Sequence, residues 1–365
     1  MNFAPERLRE IRLLNGHTME MMAEKIGVSK QAVSKYEAGQ AVPATDTLAR
    51  ILDQYGIRPD YLTNKRELPN DRSAIFYRKV KNTPIKKREV AEVNVKWLYE
   101  IITVMDGISP MKQLNLPEFP QYLPIWEKAK LLRGFWNLGE EVIDDIVSLL
   151  EANGFCLFTV NWGEEKIDGY SQMIGSRPII VLNGEKGTKE RQQFSIAHEL
   201  GHMILHRNAE KVTEEMEKEA DEFAGCFLMP ERALKADLVR NNADYFVELS
   251  KKWRVSPQAL VERCRNLKLL GSNEEENEAK RMSLYQKLNR RIIREESDII
   301  CTIRPILDLM EEDVGAAKNF LRELRLPVRE LQRLCGLSDK WFLYEQPDRK
   351  ENINDIEGTQ ISFSF

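Results

Sequence analysis

The sequence predicts a mainly α protein with a small β-sheet: a five-helix N-terminal domain, an α+β domain and a helical C-terminal region. Three observations predict it. The first 65 residues are short apolar-periodic stretches with Ser, Thr or Gly at nearly every joint. Short β-rich runs at 155–160 and 179–182, with a weaker one near 167–170, precede a helical stretch. That stretch carries three of the chain's four histidines within nine residues. At 365 residues and 42% hydrophobic, the chain exceeds one small core. We divide it at 1–66, 67–124, 125–270 and 271–365. No stretch approaches the roughly 20 apolar residues needed to span a bilayer, and none resembles a secretion signal. The expectation is a cytoplasmic protein with no membrane partner.

The first helix, from Arg7, aligns Leu8 and Ile11 and ends at Gly16. Thr18 opens a second that stops at Gly27, Ser29 caps a third through Tyr36, a fourth runs from Thr45 to Tyr55 and is followed by Gly56, and a short fifth follows Pro59. Gly27 suits a left-handed turn between two steeply crossing helices, pinned by Ala23, Ile26 and Val33. The third helix then presents Lys30, Gln31, Ser34 and Lys35 outward. Gln can bond adenine in bidentate fashion, and Lys suits phosphate or guanine. Over residues 4–63 this segment resembles the XRE, or lambda-repressor-like, helix-turn-helix family, through Val28-Ser29, Val33-Ser34-Lys35-Tyr36-Glu37-Ala38-Gly39 and Pro43. The resemblance implies double-stranded DNA as partner, with Ser29, Lys30, Gln31, Ser34 and Lys35 as contacts; a single module grips few base pairs, so a homodimer on the DNA is expected. Met19 follows Thr18 where that family usually has Gln, which removes a contact near the groove edge.

Residues 1–96 hold 18 Lys/Arg against 12 Asp/Glu, so the rest of the chain, whose total is −4, carries −10. The positive surplus suits a polyanion at the N-terminal end. Residues 67–124 read as a basic connector, an apolar helix near 95–105 and a Pro-marked extended stretch; helices follow near 125–136 and 140–152. The five cysteines are widely spaced and odd in number, which argues for reduced thiols rather than a disulfide framework or a Cys-based zinc site. A Glu-rich hinge at 273–278 and a polar tail after Pro347 frame the C-terminal helices.

If 191–206 is a helix, His198 and His202 lie one turn apart on one face and can aim ring nitrogens at one ion. Glu199, next to the first of them, can act on water held there, the position of a general base. Gly201 removes bulk where another element packs. A third ligand is expected from the next helix, where Glu217 and Asp221 share a face: one carboxylate can bind metal while the other holds a histidine. Glu219 is the runner-up ligand, with Glu214 and Glu215 behind it. His206 reads as a structural residue at the helix end. Between Tyr170 and Arg191 as an oxyanion stabiliser the sequence does not choose.

Here the chain resembles the ImmA/IrrE metallopeptidases, a gluzincin-like group, over roughly 125–270. The resemblance rests on Arg191-Gln192-Gln193-Phe194, His198-Glu199-Leu200-Gly201-His202, Glu219-Ala220-Asp221-Glu222-Phe223-Ala224 and Phe227-Leu228-Met229-Pro230. It implies one Zn²⁺ per chain, or another divalent ion, on His198, His202 and Glu217, with Glu199 as catalytic base. Asp221 stands where Asn is more usual, in a position to accept from a ligating histidine. The implied function is a DNA-binding transcriptional regulator with a zinc-dependent endopeptidase domain, cleaving a protein substrate such as an XRE-type repressor in a stress or mobile-element response. Two other functions fit the same modules: a transcription factor whose peptidase-like domain senses metal or ligand without catalysis, and an antitoxin-like regulator using 271–365.

Overall fold

The computed structural model describes residues 3–65, 68–70, 72–77, 85–161, 168–184, 188–207, 209, 213–271, 273–288 and 298–345. The tail after Pro347 and part of the basic connector lie outside them. Two compact units result. One comprises Met1–Pro69, Pro84–Pro110 and Ile303–Phe365; the other comprises Asn70–Thr83 and Met111–Thr302. The segments 67–124 and 271–365, delimited by composition, are each divided between the two units. Composition records solvation, whereas the compact units record which apolar faces meet.

The first unit begins with α1 (Pro5–Leu14), α2 (Met19–Ile26), α3 (Lys30–Glu37) and α4 (Thr45–Tyr55). The fifth expected helix is a single 3-10 turn, Tyr61–Thr63. Thr18 and Ser29 cap α2 and α3, their hydroxyls accepting from Met21 N and Ala32 N, each at 3.2 Å. Gly27 ends α2 with φ 67°, a conformation that costs glycine little. Met22, Ala23, Ile26 and Val33 are buried where α2 and α3 meet. Arg12 grips Glu37 in bidentate fashion, at 2.5 and 2.8 Å, and ties α1 to α3.

This helical group packs on α5 (Ile85–Ile108) of the same unit. Arg7, fully buried, donates to Glu10 at 2.8 Å, to Glu100 of α5 at 2.7 Å and to Asn64 O at 2.7 Å. Glu10 also accepts from Trp97 Nε1 and Lys96 Nζ. Burial works against the charge on Arg7, but the two carboxylates outweigh it and hold the guanidinium above its usual pKa.

The second unit is built on a four-stranded sheet of order β1-β3-β4-β2, from β1 (Phe76–Tyr77), β2 (Cys156–Val160), β3 (Gly169–Ile174) and β4 (Arg177–Asn183). β4 is antiparallel to β3 and parallel to β2. Both faces of β2 and β4 are buried, so these strands are continuous apolar runs rather than alternating ones. Both outer edges are covered: β1 pairs with β3, and Cys301 bridges Phe158 of β2. Neither cover was expected from the sequence. Ahead of the sheet come α6 (Ile125–Phe135) and α7 (Ile146–Ala152), the latter capped by Asp145. Next are α8 (Lys189–Leu205) and α9 (Glu214–Leu228), then α10 (Glu231–Asp237), α11 (Ala243–Trp253), α12 (Pro257–Asn266) and α13 (Glu274–Leu288). The core under α8 and α9 gathers Ile180, Leu200, Phe223, Phe227 and Trp253.

The chain then returns to the first unit with α14 (Arg304–Glu312), α15 (Val314–Leu324), α16 (Val328–Cys335) and α17 (Trp341–Glu345). Arg58 and Asn64 donate to the carbonyls of Leu321 and Leu324, so α15 completes the N-terminal helical group. All five cysteines are free thiols, and burial pushes Cys264 up to about 12. No helix among the described residues is long and apolar enough to cross a membrane.

Candidate metal centre and nucleic-acid-binding helix

α8 and α9 lie against each other at Gly201, where an added Cβ would stand 3.2 Å from the Cα and carbonyl oxygen of Ala220 and from Phe223 Cβ. A larger residue there would require these neighbours to give by a few tenths of an ångström. The close approach brings the first turn of α9, capped by Thr213, beside the histidines of α8. His198, Glu199 and His202 are fully buried. His198 Nε2 and His202 Nε2 are 3.0 Å apart, and Glu217 brings its oxygens to 3.2 Å from the latter and 3.8 Å from the former. These three are the group among the described residues whose ligand atoms converge for a metal ion.

The far sides of the rings explain which nitrogen faces inward. His198 Nδ1 lies 2.8 Å from Asp221 Oδ1, so the carboxylate takes its N–H and leaves Nε2 as a lone pair. His202 Nδ1 meets His206 Nδ1 at 3.0 Å, and His206 Nε2 meets Glu219 Oε2 at 2.8 Å. Since Glu219 accepts from His206 Nε2–H, a neutral His206 offers Nδ1 as acceptor. His202 must then donate from Nδ1 and also point a lone pair from Nε2. Burial holds His206 below its usual pKa despite Glu219, which agrees with a neutral ring.

Two lone pairs facing at 3.0 Å beside a carboxylate repel one another unless a cation lies between them. Nitrogens bound tetrahedrally to Zn²⁺ at about 2.0–2.1 Å would stand about 3.3–3.4 Å apart, close to the observed separation. The donor set therefore fits a divalent ion.

Glu199 Oε2 accepts from Ser171 Oγ of β3 at 2.5 Å, and a Cβ on Gly169 would lie 3.5 Å from its other oxygen. Phe76 of β1 is buried and stacks on the His202 ring, centroids 4.9 Å apart and planes within 7°. Sequence reasoning did not include Ser171, Phe76 or the His206–Glu219 chain in the site. Their roles depend on strand register and inter-helix distance, which one-dimensional spacing does not carry. Glu214 and Glu215 are exposed in the first turn of α9. Arg191 is held by Asp168 at 2.7 Å, and Tyr170 is buried in β3.

In the first unit, Ser29, Lys30, Gln31, Ser34 and Lys35 are all exposed. Ser29 spends its hydroxyl on the cap of α3, and Lys30 pairs with Glu20 of α2.

Residues 8–62 match the Helix-turn-helix family model, and residues 151–265 match the IrrE N-terminal-like domain of the M78 peptidase family. The HTH-type transcriptional regulator ImmR of Bacillus subtilis (strain 168) is 32% identical over 141 residues, covering 39% of this chain and 94% of that protein. Two other B. subtilis HTH-type regulators, the SPbeta prophage-derived YonR and YobD, are each 35% identical. They align over 57 and 65 residues, which is 16% and 18% of this chain and 53% and 58% of theirs. The structure of Bacillus thuringiensis PlcR in complex with the peptide PapR7 and DNA aligns over 93% of each chain at 12% identity, but its TM-score of 0.16 is too low to indicate a shared fold. The chain thus belongs to the XRE-type HTH transcriptional regulators related to ImmR, and it joins that DNA-binding module to an ImmA/IrrE-like peptidase domain.

Proposed function

We propose that the chain is a DNA-binding transcriptional regulator whose second unit is a zinc-dependent endopeptidase acting on a repressor-type protein. One observation carries the reading. Two imidazole lone pairs and the Glu217 carboxylate converge on a single point, with the buried Glu199 carboxylate one residue from the first ligand. His198, His202 and Glu217 would hold Zn²⁺, which supplies Lewis acidity for a peptide carbonyl and its attacking water. Glu199 takes the proton released by that water and passes it to the departing amine. Ser171 bonds Glu199 Oε2 and so fixes its orientation. Asp221 and the His206–Glu219 pair keep both ligand rings in the metal-binding tautomer.

The recognition helix is α3, with Gln31 reading base edges and Lys35 gripping phosphate, and Ser29, Lys30 and Ser34 beside them. One such helix covers few base pairs, which favours a homodimer on a two-fold-related operator.

A second reading is a metal- or ligand-sensing regulator without catalysis, favoured by relatives that are named as regulators. Glu199→Gln separates the two, because a sensor needs ligands but no base. The variant is expected to keep its Zn²⁺, measured by elemental analysis, and its DNA binding, while cleavage of an XRE-type repressor falls about 10²–10⁴-fold. Unchanged regulation of target genes by Glu199→Gln in cells would select the sensor.

A further inference from the structure

A three-stranded core of β2, β3 and β4 would leave an open edge on β3, the strand that carries Ser171 against Glu199. The edge is filled by residues 72–77. Phe76 and Tyr77 register with Ser171 and Tyr170, and Arg72 bridges Ile174. From Arg72 to Phe76 the outer segment advances four residues while β3 advances three, so the pairing contains a bulge. Around it, Ser73 N donates to Met173 O at 2.9 Å, Met173 N to Ser73 Oγ at 3.1 Å, and Gln172 Nε2 to Ser73 O at 2.7 Å. The regular ladder is only two residues long, and a strand this short is held weakly.

A segment serving only to blunt an open edge needs main-chain bonds and polar outward groups. This one instead lays a large apolar ring flat on His202 and leaves it fully buried. That is how an extended peptide is recognised when it adds a strand to a sheet: main-chain bonds give affinity and one side-chain pocket gives selectivity.

We infer that residues 72–77 are a built-in pseudosubstrate: they occupy a peptide-docking edge on β3 that an incoming extended segment with a large apolar side chain must take over, its ring replacing Phe76 on His202. The inference rests on the peptidase reading for the meaning of the site, but the docking itself needs neither metal nor cleavage. Displacing the strand opens the edge of the strand that bears Ser171, so the resting chain is self-occluded.

The test uses the full chain and a fluorescein-labelled peptide copying residues 70–79, followed by anisotropy, with hydrogen exchange read on the β3 amides. Phe76→Ala empties the ring position, and Ser73→Pro independently removes the Ser73 N–H bond to Met173. Either variant is expected to bind the peptide at least tenfold more tightly than the wild type, and a peptide with Ala in place of its Phe should lose that gain. Arg72→Cys/Ile174→Cys, oxidised to staple the strand in place, should bind no peptide until reduced. Faster exchange in β3 without added peptide binding would mean that 72–77 is edge cover alone, and would overturn the inference. Equal peptide binding by wild type and both variants, or binding indifferent to the peptide's Phe, would also overturn it. Peptide binding is read by anisotropy with no cleavage and no added metal, so loss of the peptidase reading and loss of the docking edge give different results.

Discussion

The two histidine rings at the candidate metal centre are held by unlike partners. His198 has a carboxylate directly on Nδ1, whereas His202 has a neutral imidazole backed by Glu219. A carboxylate raises the basicity of the opposite nitrogen more than an imidazole does, so Asp221 should matter more than Glu219, one bond further out. Asp221→Ala is expected to weaken Zn²⁺ binding by about 10–100-fold, and Glu219→Ala by less, both measured by chelator competition. Identical affinities in wild type and Asp221→Ala would remove Asp221 from the account. At this scale the spacing of His198 and His202 is local to one helix and could be read directly. Glu217 and Asp221 share a face, so spacing alone left either as the third donor; the family resemblance named Glu217, and its oxygens lie 3.8 and 3.2 Å from His198 Nε2 and His202 Nε2.

Elements that could be recognised from the sequence are those with local punctuation. α2, α3 and α9 each begin at a Thr or Ser whose hydroxyl accepts a backbone N–H, and α2 ends on a left-handed glycine. β1 carries no such mark. It is two residues within a polar, basic stretch, and its strand character comes entirely from β3, a partner more than 90 residues away in sequence. The single glycine that governs the site at this scale is Gly201. Val there must place three carbons where one Cβ already meets backbone of α9 at 3.2 Å. Gly201→Val is expected to lower unfolding stability by about 1–3 kcal/mol and to weaken Zn²⁺ binding, because Glu217 moves with α9. Gly201→Ala should cost less, since alanine regains about 1 kcal/mol of helix propensity. Denaturant titration with parallel zinc titration checks both, and a Val variant with wild-type affinity would show that α9 does not set the ligand distance.

On the scale of the whole chain, the DNA-binding module is larger than its family segment. Arg7 of α1 needs Glu100 of α5, and Asn64 needs Leu324 of α15. Glu100→Ala leaves Arg7 paired with Glu10 but strips one buried guanidinium N–H of its acceptor, so it is expected to destabilise the first unit by about 1–3 kcal/mol. It should also weaken operator binding on warming, although Glu100 is far in sequence from α3. Lys35→Ala should weaken binding to all duplexes and reduce its salt dependence by one phosphate contact, while Gln31→Ala should relax specificity. Anisotropy across a salt series distinguishes these outcomes, and unchanged binding in both α3 variants would remove α3 as the recognition helix.

The divided first unit also sets an order in time. Chains are made at about 5–20 residues per second, so the N-terminal helices leave the ribosome roughly 15–50 s before residues 303–345 that complete their packing. During that interval the peptidase-like unit is synthesised in full, while the DNA-binding unit waits for its last helices. A nascent chain interrupted anywhere in the second unit therefore lacks α14–α17, and its Arg58 and Asn64 have no carbonyl of α15 to donate to.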